Sequence, residues 1–310
     1  MTGVGVSRLR VAAIAALCGA LGACPYLVAL TGSPGSMILV YLTQLPLFVA
    51  GLWLGVGASA LAGLAASLIL IAASNFVAAA VFAGLNAVPV VLLVRQSLLA
   101  RTGAEGVIEW YPPGSLTAWL TGSGLAAIAA CLLLLGGPEG VQVTLREVLA
   151  PVLSRHFDEN MPEHAELLSF LAFILPGIVA SSWMVMTATN GSLAQGLLSR
   201  FGASWRPSPD LAALGLPVWI PMLLAFATGA TALGGTARFL GINVMIVLAV
   251  PFCLAGLAVL HTLARRFSHP AIPLVTFYVL AGVFGWPLLV VALLGLFDSS
   301  LGLRRRFAQP

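Results

Sequence analysis

The chain has 310 residues, of which 60% are hydrophobic and only 8% are charged. A soluble domain carries roughly 25% charged residues to cover its surface, so this composition excludes a water-soluble fold. The formal net charge is +4 and every basic residue is an arginine. We interpret this small excess as loop charge that orients a membrane protein, and not as a nucleic-acid-binding surface.

The first apolar run fits two interpretations. Arg8 and Arg10 precede it, and Leu-Gly-Ala-Cys at 21–24 resembles the cleavage site of a lipoprotein signal. However, Pro25 is unfavourable after a modified cysteine. The run at 9–30 also has the length of a full span, which needs about 20 apolar residues. We therefore predict an uncleaved first helix.

Long apolar runs in a membrane chain are interpreted as helices, because every backbone polar group must be bonded inside the hydrocarbon. The sequence thus predicts an all-α fold, a polytopic transmembrane helix bundle that forms a single integral membrane domain over 1–310. The eight predicted spans are 9–30, 36–54, 56–74, 76–95, 115–136, 167–189, 212–233 and 239–263.

A final apolar stretch, 271–297, leaves two alternatives open. Trp286 and Pro287 interrupt it, and a proline inside a helix removes a hydrogen bond and favours a kink or a break. A short helical hairpin would return the arginines at 304–306 to the side of the earlier loop arginines. One long tilted span would place them on the opposite side.

Arginine in the loops predicts the orientation, since cytoplasmic loops carry the excess of basic residues. With Arg8 in the cytoplasm, alternating spans place Arg101, Arg206 and Arg265 on the same side. We therefore expect a multi-pass protein of the bacterial inner membrane whose N-terminus is cytoplasmic.

The external loop at 137–166 has apolar residues at helical spacing, followed by the acidic residues Asp158, Glu159, Glu163 and Glu166. This pattern predicts an amphipathic helix at the membrane surface, followed by a solvated connector. A lid that gathers substrate is the alternative.

The cytoplasmic connector at 190–211 contains alternating prolines, which predict an ordered segment that docks at the membrane surface. A loop that binds a partner is the alternative. The candidate partner or interface residues in and near this connector are Trp205, Arg206, Trp219 and His261.

Ionisable residues are nearly absent from the spans, where they are costly and are retained for a purpose. Only Arg238, His261 and Asp298 come near span ends. We therefore expect no enzyme activity and no proton coupling through an intramembrane carboxylate. A membrane enzyme built from these residues and Arg206 is the least favoured alternative. We also expect no catalytic residue, no metal and no cofactor, because HExxH, CxxC, P-loop and GxSxG motifs are absent from the sequence.

The polar candidates inside the spans are neutral: Tyr41, Gln44, Asn86, Asn190 and Asn243. Tyr41, Gln44, Asn86 and Asn243 are the candidate residues for hydrogen-bonding a small ligand across the bundle. For each residue taken alone, interhelical hydrogen bonding, worth about 0.6 to 2 kcal/mol per contact, is the favoured interpretation.

Prolines also lie within the spans, where a kink can free backbone carbonyls to coordinate a ligand. They are common in ordinary membrane helices, so they indicate a site only weakly. These prolines are Pro46, Pro89, Pro176, Pro217, Pro221 and Pro251.

Several motifs after residue 190 resemble a known family. They are Trp205-Arg206-Pro207, Leu216-Pro217-Val218-Trp219, Arg238 with Asn243, residues 256–261 (Gly-Leu-Ala-Val-Leu-His), Phe284-Gly285-Trp286-Pro287 and Gly295-Leu296-Phe297-Asp298. This succession resembles the YybS-like family of uncharacterised bacterial membrane proteins, domain of unknown function 2232. The family has no settled activity.

The first half is rich in alanine and glycine, and Gly19, Gly51 and Gly63 are part of small-residue faces that predict close helix packing. In this texture it is similar to the substrate-binding components of energy-coupling-factor vitamin transporters and to the cell-shape protein MreD. The transporter likeness implies a ligand cavity among the helices and a face that docks a partner subunit.

We therefore expect a non-enzymatic, transporter-like bundle that binds a small-molecule ligand or a membrane protein partner within the lipid bilayer. The alternative is a scaffold of cell-envelope biogenesis that binds no ligand. A ligand binder should hold its polar side chains in an enclosed polar cavity, whereas a scaffold should pair them with one another.

Overall fold

A computed structural model describes residues 7–32, 35–103, 106–155, 162–210, 214–302 and 304. This part of the chain is mostly helical, and it includes a two-stranded antiparallel sheet of β1 (Ala100–Thr102) and β2 (Ile108–Trp110). The helices in chain order are α1 (Arg8–Leu30), α2 (Ser36–Val40), α3 (Leu45–Leu54), α4 (Val56–Ala73), α5 (Phe76–Phe82), a π-helical turn (Ala83–Ala87), α6 (Val88–Ser97), α7 (Pro113–Leu134), α8 (Gly137–Leu153), α9 (Pro162–Arg200), α10 (Trp219–Thr231), α11 (Gly235–Ala264), α12 (Ala271–Phe284) and α13 (Pro287–Leu301).

Helices long and apolar enough to cross a membrane coincide with six of the eight predicted spans. They are Arg8–Leu30, Val56–Ala73, Phe76–Ser97, Pro113–Leu134, His164–Arg200 and Gly235–Ala264.

The other two predicted spans, 36–54 and 212–233, contain shorter apolar helices. The first is interrupted between α2 and α3. In the second, α10 begins only at Trp219, and Pro217 disfavours helical conformation in Leu216 before it. The helical fold is therefore confirmed, but eight full-length spans are not.

The chain divides into two compact units, and the first comprises the described residues of 1–112 and 185–209. Here α1 packs along α4, and α3 packs on both of them. A Cβ atom on Gly19 of α1 would overlap the carbonyl oxygen of Ala62 in α4. The two backbones are thus in direct contact, as the small-residue pattern predicts.

The second unit comprises the described residues of 113–184 and 210–304, and α11 is its central helix. α10, α13 and α7 pack against α11. A Cβ on Gly256 of α11 would overlap the carbonyl oxygen of Val291, and a Cβ on Gly295 of α13 would overlap that of Phe252. Glycine at both positions lets the backbones of α11 and α13 touch.

The terminal apolar stretch is two helices, α12 and α13, and not one continuous span. Gly285 lies between them with a φ of +71°, a conformation that glycine adopts without strain. Arg304, beyond the end of α13, donates to the carbonyl of Leu214. Leu214 packs on Ala255 and Ala258 near the end of α11. The chain therefore leaves and returns to the same end of α11, as the hairpin alternative requires.

The predicted external loop contains α8, with Val141 and Leu153 buried and Arg146 and Glu147 exposed. A helix is therefore present in this segment, and its amphipathic role stays a prediction. In the acidic run that follows, Asp158 and Glu159 lie outside the described residues. The position of α8 at a membrane surface stays a prediction.

The predicted connector at 190–211 is helical in its first part, because α9 continues through Asn190 as far as Arg200. Gly191 does not end the helix. A Cβ at this position would make an ordinary van der Waals contact with the ring of Phe48. The non-helical connector therefore begins later than the sequence predicts.

Candidate functional site

The candidate site lies at a break in the helical segment 36–54 of the first unit. Residues 41–44, the break segment, form turns between α2 and α3. The amide of Leu45 donates to the carbonyl of Leu42 at 3.1 Å, whereas in a continuous α-helix it would donate to Tyr41. At the break, the Leu45 amide therefore does not donate to the Tyr41 carbonyl.

Asn190 of α9 supplies a donor to this carbonyl. Its Nδ2 lies 2.5 Å from the oxygen of Tyr41 and 2.8 Å from that of Met186, in its own helix. Because a backbone carbonyl in hydrocarbon must be bonded, the amide of Asn190 stabilises the irregular break segment.

A second irregularity faces the break segment from the π-helical turn between α5 and α6. Pro89 has no N–H and cannot donate to the carbonyl of Leu85, four residues earlier. Gln44 donates to this carbonyl through Nε2 at 3.3 Å, and to Oδ1 of Asn86 at 3.2 Å. Such π-helical turns are frequent at functional sites.

Both amides therefore use their nitrogens on the broken backbone and leave their oxygens without a donor. In the part of the chain that the structure describes, no hydrogen-bond partner reaches Thr43 Oγ1, Gln44 Oε1 or Asn190 Oδ1. We call these atoms the orphan oxygens. Thr43 and Gln44 are 0% exposed and Asn190 is 1% exposed. Leaving such a group buried and unpaired costs about 1 to 3 kcal/mol, which calls for an explanation.

Of the predicted ligand residues, Gln44 and Asn86 meet at this site. Tyr41 contributes its backbone carbonyl, while its side chain is 46% exposed. The sequence interpretation missed Thr43. Its only signal was a position between Tyr41 and Pro46, where a span containing a proline is most easily broken.

Asn243, the fourth predicted ligand residue, belongs to the second unit and is bonded on both sides of its amide. Nδ2 donates to the carbonyls of Phe173 and Phe239, each at 2.9 Å. Oδ1 accepts from the amide of Gly177 at 2.6 Å. Asn243 thus links α11 to α9 at two backbone groups, which is the interhelical alternative.

Two of the predicted interface residues, Trp205 and Arg206, hold the connector to the first unit. Trp205 donates through its indole nitrogen to the carbonyl of Trp53 at 2.6 Å. Arg206 is 5% exposed and donates to the carbonyls of Ser97 at 3.2 Å and Tyr111 at 2.9 Å. Burial lowers the pKa of the Arg206 guanidinium. These contacts attach Arg206 to its own chain.

The remaining interface candidates lie in the second unit. Trp219 begins α10 and is partly exposed. The ring nitrogen Nε2 of His261, near the end of α11, lies 3.0 Å from the hydroxyl of Tyr278 in α12. The buried carboxylate of Asp298 forms an ion pair with Arg304, with 2.7 Å between Nη2 and Oδ2. His261 and Asp298 therefore have structural partners within this unit.

Long apolar helices, touching glycine-lined backbones and a broken span define the class of protein: a polytopic helical membrane protein. The family model described as "Predicted membrane protein (DUF2232)" matches residues 26–299, and the chain belongs to this family. This confirms the resemblance based on the C-terminal motifs. No curated protein and no solved structure matches the chain. The likenesses to energy-coupling-factor components and to MreD stay predictions.

Proposed function

We propose that this protein binds a small ligand inside the membrane, at the break segment of its first unit. It acts there as a non-enzymatic, transporter-like bundle of the bacterial inner membrane, with a cytoplasmic N-terminus. The observation that carries the proposal is the group of three buried orphan oxygens beside an interrupted span. Discontinuous helices form the binding sites of many transporters, because their backbone and side chains reach groups that a regular helix conceals.

The contrast with Asn243 supports ligand binding over a purely structural role. Asn243 uses both its nitrogen and its oxygen in helix packing. Gln44 and Asn190 use only their nitrogens in such contacts. Helix packing therefore explains the position of each amide nitrogen but not the burial of each amide oxygen without a partner. A scaffold would gain stability from apolar side chains at these positions, because no buried acceptor would then be left unpaired.

Thr43→Val tests this proposal, because valine keeps the shape of threonine and removes one orphan oxygen. The matched control is Thr121→Val, since Thr121 is equally buried but its hydroxyl donates to the carbonyl of Thr117 at 2.8 Å. Each protein is purified in mild detergent, and co-purifying small molecules and ions are identified by mass spectrometry.

We expect the wild type and Thr121→Val to retain the same ligand and Thr43→Val to lose most of it. If neither the wild type nor the control retains any ligand, and Thr43→Val only stabilises the protein, the scaffold alternative replaces this proposal.

A further inference from the structure

We propose that the orphan oxygens bind a dehydrated alkali-metal cation, with Na⁺ as the expected ion. This inference rests on the proposed function and names its ligand class. It follows from the chemistry of the atoms left unpaired, from the positions of their side chains at the break segment and from the burial of these side chains.

The unpaired atoms are oxygens of neutral groups: two amide oxygens, which only accept, and one threonine hydroxyl, which accepts and can also donate. The nitrogens of Gln44 and Asn190 already donate to backbone carbonyls or to Asn86, so these amides have oxygens to offer a ligand. Amide oxygens attract a cation and repel an anion, and a hydroxyl oxygen can bind a cation beside them. Divalent cations generally require carboxylates among their ligands, whereas amide, hydroxyl and carbonyl oxygens suit Na⁺ and K⁺.

The three side chains that carry these oxygens lie at or against the break segment. Thr43 and Gln44 are adjacent in the break segment. The amide of Asn190 is held at the carbonyl of Tyr41, two residues before Thr43. Backbone carbonyls of an interrupted helix are typical additional ligands of Na⁺ in membrane proteins, so the break segment itself can complete the coordination.

The packing around these side chains favours an occupant of atomic size. Neither Thr43 nor Gln44 has any surface that a water molecule can touch. A bulky organic ligand would need a wide opening between helices to reach them. A bare sodium ion is smaller than a water molecule, so it needs less space between the helices than an organic ligand does.

The test measures thermal unfolding of the purified full chain in NaCl, KCl or choline chloride at equal ionic strength, together with direct binding of ²²Na⁺. We expect Na⁺ to raise the unfolding temperature of the wild type and of Thr121→Val above that in choline. Loss of a residue that only hydrogen-bonds a metal ligand weakens metal binding about 10- to 100-fold. Because Thr43 is proposed as a direct ligand, Thr43→Val should bind ²²Na⁺ at least about tenfold more weakly. Thr43→Ser, which keeps the hydroxyl, should restore most of the response.

An equal response to Na⁺ and K⁺ supports an alkali-cation site without selectivity. If the wild type binds no ²²Na⁺ and responds to no alkali cation, the inference is overturned. In that case, an organic molecule retained by the wild type and lost in Thr43→Val leaves the proposed function standing. The absence of both an ion and an organic ligand overturns the two together. Binding to the wild type is measured directly, so the outcome does not depend on a variant that folds poorly.

Discussion

Replacing Asn243 with leucine tests whether the amide of this residue stabilises helix packing or binds a ligand. The Asn243 side chain bonds the carbonyl of Phe173 and the amide of Gly177. These groups are four residues apart in α9, the separation of the two partners of one α-helical hydrogen bond. Asn243 therefore joins α11 to the backbone of α9 by a donor and an acceptor at once.

The cost of Asn243→Leu follows from these two interhelical bonds. Such bonds average about 0.6 kcal/mol in membrane proteins and reach about 1.7 kcal/mol, so we expect a loss of about 1 to 3 kcal/mol. For a chain of this size, about 1 kcal/mol shifts the unfolding temperature by roughly 2 to 4 °C. The variant should therefore unfold several degrees below the wild type.

The assay is thermal unfolding in detergent, followed by loss of the monodisperse peak in size-exclusion chromatography. Ser123→Ala is the control, because Ser123 is partly exposed and its hydroxyl donates to the carbonyl of Trp119 within its own helix. It should unfold at the wild-type temperature. The reasoning is refuted if Asn243→Leu is as stable as the control. Loss of ligand retention or of the Na⁺ response, with stability unchanged, would instead assign Asn243 to ligand binding.

Three further predictions concern the connector, the helix contacts and the topology. Arg206→Gln should release the connector and raise its cleavage by a protease several-fold, because two buried guanidinium bonds are lost; Arg200→Gln, at an exposed position, should not. Gly256→Ala should reduce the yield of folded protein sharply, since its Cβ would overlap a carbonyl of α13, whereas Gly282→Ala meets open space and should leave the yield unchanged. Green fluorescent protein fused after residue 310 should fluoresce and alkaline phosphatase there should be inactive, because the hairpin and the predicted orientation place that end in the cytoplasm; the opposite result would reject one of these two assignments.

Resemblance at the C-terminal motifs and the family match agree on the family, but neither identifies the candidate site. Trp205 and Arg206 illustrate the difference. Their position in a proline-rich connector is visible in the sequence, yet their bonds to Trp53, Ser97 and Tyr111 join residues far apart in the chain. Sequence pattern predicts where a polar side chain occurs, whereas its partner depends on how the helices pack.

The prolines make the same point at the site. Pro46 and Pro89 are weak signals in the sequence, because kinked membrane helices are common. In the structure, the carbonyls of Tyr41 and Leu85 near these prolines each accept a side-chain amide. The positions of these prolines are visible in the sequence, but which amides reach the nearby carbonyls depends on residues far apart in the chain.

The sequence by itself determined that this is a helical membrane protein and where six of its long spans lie. In lipid, each spanning segment must form the hydrogen bonds of its backbone within itself, as a helix. Each long apolar run therefore predicts a helix independently of the rest of the chain. Only the tertiary structure decided that Gln44 and Asn190 each keep an unpaired oxygen while Asn243 keeps none. The physical reason is that a hydrogen bond needs both a donor and an acceptor. Here the two groups come from distant parts of the sequence, so they meet only when the helices pack.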